Sequence, residues 1–211
     1  MKKVILKKFP KQKRFELSEV INNVMPYGSD SRNDGVVKVT LVVYKITSGS
    51  RAGMYSVDAT ANWLTIPPMN AKDILAITHK DGFNSNINDY SASYKYDYTY
   101  GGSYTTKSET INKNDIIGFT GHGGGVSYPR VVIDSAYNDK CKNQIYNLRG
   151  YAKPGSSQDE QTVQATFMRA SKSISWSVNV ELSSNGLSVI PTGTYTNSFT
   201  GTLTPQVSFY I

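Results

Sequence analysis

From Val36 onward the hydrophobic residues of this chain alternate with polar ones, which is the period of a β-strand. In two segments the apolar side chains fall on one face and the polar ones on the other. They are Val37, Val39, Leu41 and Val43 in the first segment, and Tyr55, Val57, Ala59, Ala61 and Trp63 in the second. The glycine-containing stretch 49–53 between the segments predicts a hairpin connection.

Later segments with the same period predict an all-β fold. Strands are expected near 116–120, 130–134, 144–151 and 162–169, with a hairpin turn at 183–186 and a final strand ending at 211. About ten to twelve short strands predict one antiparallel β-sandwich over residues 15–211. The apolar spacing in 15–25 predicts one short N-terminal helix, and the turn-forming residues of 26–35 predict turns after it.

One predicted strand, YSASYKYDYTY, carries tyrosine at nearly every second position. Tyr94, Tyr96, Tyr98 and Tyr100 therefore project from one face of it. A row of this kind is typical of a packed inner face or a cross-strand ladder. Two functional alternatives remain: a ligand-binding platform that stacks on sugar rings, and an interface with another subunit.

A second alternating segment, 173–182, indicates a different function. Its apolar face is formed by Ile174, Trp176, Val178, Val180 and Leu182, and its other face carries Ser, Asn and Glu. A membrane-inserting β-hairpin needs strands of about 9–11 residues with one apolar face, as in β-pore-forming toxins. An ordinary half-solvated sandwich strand shows the same pattern, so both interpretations stand.

The net charge of +7 comes from the N-terminus. Residues 1–14 hold seven basic side chains, Lys2, Lys3, Lys7 and Lys8 among them, and the rest of the chain has 16 basic and 16 acidic residues. We expect a basic arm that attracts an anionic surface or membrane, or a solvated tail, and no nucleic-acid partner. The apolar run Val4–Leu6 is shorter than the roughly 7–15 residues of a signal peptide, so the export route is open.

The stretch GHGGG at 121–125 matches the oxyanion-hole motif of one branch of esterases. Those enzymes also need a Gly-x-Ser-x-Gly nucleophile elbow, and this chain has none. We therefore predict a glycine turn between strands 116–120 and 130–134, and no catalytic residue. The lone Cys141 excludes an internal disulfide and a thiolate zinc site.

The chain has two histidines, His79 and His122, which could hold a metal only with a carboxylate such as Asp81, Asp115 or Asp139. They have no diagnostic spacing, so neither a metal nor any other cofactor is expected. Nothing in the sequence nominates a carboxylate pair for glycoside hydrolysis either.

The segment Ser56 to Asn84 resembles a segment of secreted or surface proteins of Gram-positive bacteria. An ATA-x-W strand, a proline-containing link and a second strand carry the resemblance, in Ala59, Thr60, Ala61, Trp63, Pro67, Asp73, Ala76 and Ile77. The resemblance implies a secreted or cell-surface location. We therefore predict a non-enzymatic β-sandwich protein that acts there by binding or assembly. A pore-forming toxin and a glycan-binding module are the alternatives, and a homo-oligomer is an expected partner state.

Overall fold

The protein is an all-β sandwich of two antiparallel sheets. The computed structural model describes residues 24–80, 83–100, 103–120, 122–134, 139–155, 160–171, 180–182, 189–191 and 199–210. Sheet I has seven strands, in the order β1 (Val24–Asn33), β2 (Val37–Ile46), β3 (Tyr55–Trp63), β12 (Lys142–Pro154), β6 (Ser91–Tyr100) and β7 (Ser103–Ile111), with β5 (Phe83–Ser85) also paired to β12. Sheet II has six, in the order β16 (Phe199–Leu203), β13 (Glu160–Ala170), β4 (Ala71–His79), β9 (Gly123–Arg130) and β8 (Ile116–Thr120), with β17 (Gln206–Tyr210) also paired to β13.

Two short ladders lie outside these sheets: β10 (Ile133–Asp134) with β11 (Asp139–Lys140), and β14 (Val180–Leu182) with β15 (Val189–Pro191). The helical turns of the described residues are the 3-10 turns Ile87–Asp89 and Lys113–Asp115. The predicted sandwich is thus confirmed, with seven and six strands in its two main sheets against the ten to twelve expected. The described residues contain no helix long and apolar enough to cross a membrane.

The core lies between the two sheets and is built from the alternating positions. Val39 and Leu41 of β2 and Ala59 of β3 are at most 1% exposed, and Leu75 and Ile77 of β4 face them from sheet II. Complete burial of each such aliphatic side chain contributes roughly 1.5–3 kcal/mol. The predicted apolar faces of β2 and β3 are therefore confirmed as the inner face of sheet I.

The turns predicted at 26–35 are wrong, because most of that segment forms β1. Its residues pair with β2 from Val24↔Ile46 to Asn33↔Lys38, and a register shift at Pro26/Gly28 absorbs the proline. Tyr27 packs edge-on against Tyr55 and Phe209 at ring-centroid distances of 5.3 and 5.0 Å. The predicted helix at 15–25 is wrong at Val24 and Met25, which belong to β1, and residues 15–23 lie outside the described residues.

The glycine turn predicted at GHGGG is confirmed only in part: His122 lies in the turn between β8 and β9, but the three glycines after it belong to a strand. Gly123, Gly124 and Gly125 open β9 and pair with β4 as Thr78↔Gly123, Ile77↔Gly124 and Ala76↔Gly125. Gly123 has φ +143°, and a Cβ there would collide with the carbonyl oxygen of Ile77. Gly123 and Gly125 let β4 and β9 approach each other closely, whereas a Cβ on Gly124 would meet Ile116 and Phe119 of β8. The strand predicted at 130–134 corresponds to parts of two strands, since β9 ends at Arg130 and β10 covers Ile133–Asp134.

Candidate functional site

The tyrosine row of β6 lies on the inner face of sheet I, beside the core. Tyr94 stands opposite Tyr146, which is fully buried on β12. Tyr96 is only 4% exposed, and its ring stacks on that of Tyr94 at 6.3 Å and 16°. Tyr98 is half-buried, and the side chain of Tyr100 lies outside the described residues. Ligand binding by this row stays a prediction, with Tyr96 below the accessible surface.

The polar end of the row is bound to the neighbouring strand β7. The hydroxyl of Tyr94 donates a hydrogen bond to Glu109 at 2.5 Å, and Lys107 pairs with the other carboxylate oxygen at 2.9 Å. Burial, and next the contact with Glu109, raises the pKa of Tyr94. The hydrogen bond from Tyr94 lowers the pKa of Glu109. These contacts hold Tyr94 to β7 and leave its hydroxyl less free for a ligand.

The two histidines lie next to each other. The backbone N–H of His79 donates to the carbonyl of His122 at 2.9 Å, and the ring centroids are 6.3 Å apart. His79 is buried, with Nε2 at 3.2 Å from the hydroxyl of Ser85. Among the described residues no three His, Cys, Asp or Glu side chains form a group that could hold a metal, and Asp81 lies outside them.

A buried polar cluster joins the two sheets at one end of the core. Arg130 of β9 donates to both carboxylate oxygens of Asp73 on β4, and its guanidinium lies 4.7 Å from the ring centroid of Trp63. The hydroxyl of Tyr146 donates to Asp73 at 3.3 Å. Burial, followed by the carboxylate of Asp73, raises the pKa of Tyr146 well above its usual value. Trp63 and Asp73 both belong to the segment Ser56 to Asn84. The fold brings these two residues together in the buried cluster around Arg130.

The surface that the sequence did not reveal is the outer face of sheet I, on the side opposite the core. Residues from six strands stand directly opposite one another across it. They are Ser31, Thr40, Thr60, Asn147, Ser93 and Thr110, from β1, β2, β3, β12, β6 and β7. All six are half-buried or exposed. We call this set the polar row. At about 4.8 Å between strands it is roughly 24 Å long.

Side-chain contacts within the same face connect neighbouring strands at the polar row and next to it. The hydroxyl of Thr60 donates to the side-chain oxygen of Asn147 at 3.2 Å. Two residues further along the strands, on the same face, Arg149 donates to both carboxylate oxygens of Asp58 at 2.5 and 2.9 Å. The two charges of this pair neutralise each other, and the six side chains of the polar row itself carry no charge.

Two tyrosines border the row on its Arg149 side. Burial, and next the carboxylate of Asp58, raises the pKa of Tyr44. The guanidinium of Arg51 lies 4.1 Å from the ring centroid of Tyr151. The outer face of sheet I thus combines a row of hydroxyl and amide groups, a neutral ion pair and aromatic rings, which are the groups that recognise hydroxyl-rich ligands.

The other predicted site residues lie wholly or partly outside the described part of the chain. This applies to the basic arm with Lys2, Lys3, Lys7 and Lys8, and to Ile174, Trp176 and Val178 of the membrane-insertion alternative. Val180 and Leu182 belong to β14, but their side chains are not described. Cys141 is buried and free.

No protein-family model and no curated protein matches the chain. Three solved structures illustrate what it is similar to. The collagen-binding subdomain of Enterococcus faecalis surface protein ACE has 10% identity and TM-score 0.37, covering 84% of this chain and 96% of that one. AvmM, which catalyses macrocyclization in alchivemycin A biosynthesis, has 9% identity and TM-score 0.34, covering 74% and 79%. The membrane-inserted Clostridium perfringens NetB toxin has 10% identity and TM-score 0.34, covering 89% and 96%.

A surface protein and a toxin are therefore among the structures to which the chain is similar. At TM-scores of 0.34 to 0.37, none of these likenesses assigns a function. The resemblance of Ser56 to Asn84 to Gram-positive surface proteins stays a prediction beyond this general likeness.

Proposed function

We propose that the chain is a non-enzymatic binding protein that acts at or outside the cell surface and binds a glycan on the outer face of sheet I. The polar row is the observation that carries this proposal. It aligns short hydroxyl and amide side chains from six strands on the face that the core does not use. Such groups donate and accept hydrogen bonds without long flexible side chains, so little side-chain entropy is lost on binding.

The chemistry of the face favours a neutral extended glycan. An extended row of about 24 Å suits a linear polymer better than a small molecule, which needs a concave pocket. The six side chains of the polar row are uncharged, and the bidentate pair of Asp58 and Arg149 beside it is neutral, so a charged ligand gains little from either. Sugar hydroxyls match the Thr, Ser and Asn side chains, and Tyr44 offers an aromatic edge beside them.

Co-sedimentation with insoluble polymers tests this function. The native chain is mixed with peptidoglycan sacculi, chitin, cellulose and fibrillar collagen, and the bound fraction is measured at low and at high salt. We expect retention by at least one glycan, with little salt dependence because the side chains of the polar row are uncharged. Retention by collagen alone, or by none of the four, would contradict the glycan proposal.

A pore-forming toxin is a second candidate, favoured by one observation. β14 and β15 form a two-stranded ladder that belongs to neither sheet of the sandwich. A hairpin outside the main sheets can leave its position without breaking their ladders. Dye release from anionic liposomes tests this candidate directly: release that depends on protein concentration would support it, and intact liposomes would dismiss it.

A further inference from the structure

The edge strands of the two sheets differ in how well they could pair with another chain. Exposed edges are usually blunted by proline, bulges or short length. β1 contains Pro26 and a register shift beside it. In sheet II, β8 is five residues long with a register shift after Ile117, and β16 is five residues long and contains Gly201 with φ +67°.

β7 lacks these protections. It is nine residues long, contains no proline, and pairs with β6 in one unbroken register from Ala92↔Ile111 to Tyr100↔Ser103. Seven of its nine residues are exposed, with Tyr104 at 68%. Its one blunting device is the lysine at position 107, and this charge is paired with Glu109 two residues further on. A long, regular and exposed edge is a template for another strand.

We propose that β7 is the self-association edge of this protein, and that two copies pair their β7 strands antiparallel about a two-fold axis through Ser108. In such a dimer the two copies of sheet I form one continuous sheet. The outer faces then lie on the same side, so that the polar rows of both copies extend one surface. The proposal stands apart from the glycan function, since it concerns the edge and not the face.

Symmetry and charge select this axis. A two-fold axis perpendicular to the sheet keeps the outer faces of both copies on the same side. Directly opposite residues must then point their side chains to the same face. This requires that one residue of β7 stands opposite its own copy at the axis. An axis through Lys107 would place two lysines opposite each other, and an axis through Glu109 two carboxylates. Both arrangements are repulsive.

An axis through Ser108 places Lys107 opposite the partner's Glu109, and Glu109 opposite the partner's Lys107. On the other face it aligns Thr106 with the partner's Thr110, and Ser108 with the partner's Ser108. Opposite charges and Thr–Thr pairs at facing positions both stabilise a ladder. Across the dimer, Lys107 stands opposite a carboxylate only in this register, which favours self-recognition.

Cross-linking tests the register. Facing Cβ atoms in antiparallel strands lie about 5 Å apart, close enough for a disulfide after a small adjustment. We expect Ser108→Cys to form a covalent dimer under mild oxidation at least about tenfold faster than Thr106→Cys, which would face the partner's Thr110 instead. Combining Thr106→Cys with Thr110→Cys restores fast cross-linking. The native chain, whose Cys141 is fully buried, gives the background.

Sedimentation velocity tests the charges independently. The native chain should form a concentration-dependent dimer, and Lys107→Glu should raise its dissociation constant at least about tenfold by opposing two carboxylates. The exchange Lys107→Glu with Glu109→Lys restores alternating charge and should restore the dimer. A native chain that stays monomeric at about 0.1 mM, or cross-linking at equal rates from positions 106 and 108, would overturn the proposal. Glycan retention by a monomeric chain would leave the proposed function intact.

Discussion

Asp73 and Arg130 form an ion pair in which both side chains are completely shielded from solvent. The pair links three adjacent strands of sheet II, because Asp73 also accepts a hydrogen bond from the backbone N–H of Ala170 at 3.0 Å, and Arg130 donates to the carbonyl of Ala170 at 3.0 Å. Trp63 covers the guanidinium from sheet I. The cluster therefore fixes how the two sheets meet at this end of the sandwich.

Breaking this pair from one side should strongly destabilise the fold. Asp73→Asn leaves the guanidinium of Arg130 buried without a counter-charge, and such losses amount to about 3–5 kcal/mol. Urea unfolding measures the change. The double variant Asp73→Leu with Arg130→Met removes both charges together, so its loss should be clearly smaller than the sum of the two single losses. Additive losses in this cycle would show that the pair is not coupled.

Gly123→Ala should destabilise the protein through backbone crowding. The residue has φ +143°, and an added methyl group would meet the backbone of Ile77 and Thr78, which cannot move without breaking the β4–β9 ladder. We expect a loss of about 3 kcal/mol in unfolding free energy. Gly35→Ala is the matched control: φ is +83°, but nothing lies within 4 Å, so about 1 kcal/mol is expected. Equal losses would contradict the close-packing role of the glycine.

Buried Tyr90 should make stability fall at alkaline pH. Burial, and to a smaller extent Asp89, raises its pKa to about 12 despite a hydrogen bond with Ser85 that lowers it. In the unfolded chain tyrosine titrates near pH 10, so between about pH 10 and 12 the unfolded chain binds fewer protons than the native one. Its contribution to stability is complete below pH 10 and then decreases by up to about 1.4 kcal/mol per pH unit.

Urea unfolding at several pH values between 8 and about 11.5 measures this slope. Tyr90→Phe removes one titrating group, so its slope should be shallower than that of the native chain. Tyr104→Phe makes the same substitution at an exposed tyrosine and is the matched control. A slope that is identical in the native chain and in Tyr90→Phe would contradict the assignment.

The local hydrophobic pattern predicted several strands correctly, but it did not predict which segments pair with each other. The alternation at 37–43 and 55–63 predicts buried faces because a strand that packs one face on the core carries apolar residues at every second position. The strand β1 was missed because Gly28, Pro26 and Asp30 suggest turns, whereas pairing with β2 and the contact of Gly28 with Val207 decide otherwise. Likewise the glycines at 123–125 pair with β4, a strand whose proximity the local sequence does not reveal.

The candidate site was hidden for the same reason. The polar row joins Thr60 to Asn147, which are 87 positions apart in the chain, because β12 lies between β3 and β6. Alternation shows that each of these residues points away from the core, but the order of strands decides which of them become neighbours. The tyrosines of β6, by contrast, lie at alternate positions of one strand, so the sequence alone revealed the row, although it lies on the inner face.

The central claim is that the outer face of sheet I binds the ligand. Thr40→Lys with Thr60→Lys places two long charged side chains in the polar row, and Thr200→Lys with Thr202→Lys makes the same change on exposed positions of β16 in sheet II. Circular dichroism and urea unfolding first establish that both variants fold. Binding isotherms on the glycan retained by the native chain then compare the three proteins. We predict a loss of affinity of about tenfold or more for the first variant and less than about twofold for the second. Equal affinity of the two variants would contradict the claim.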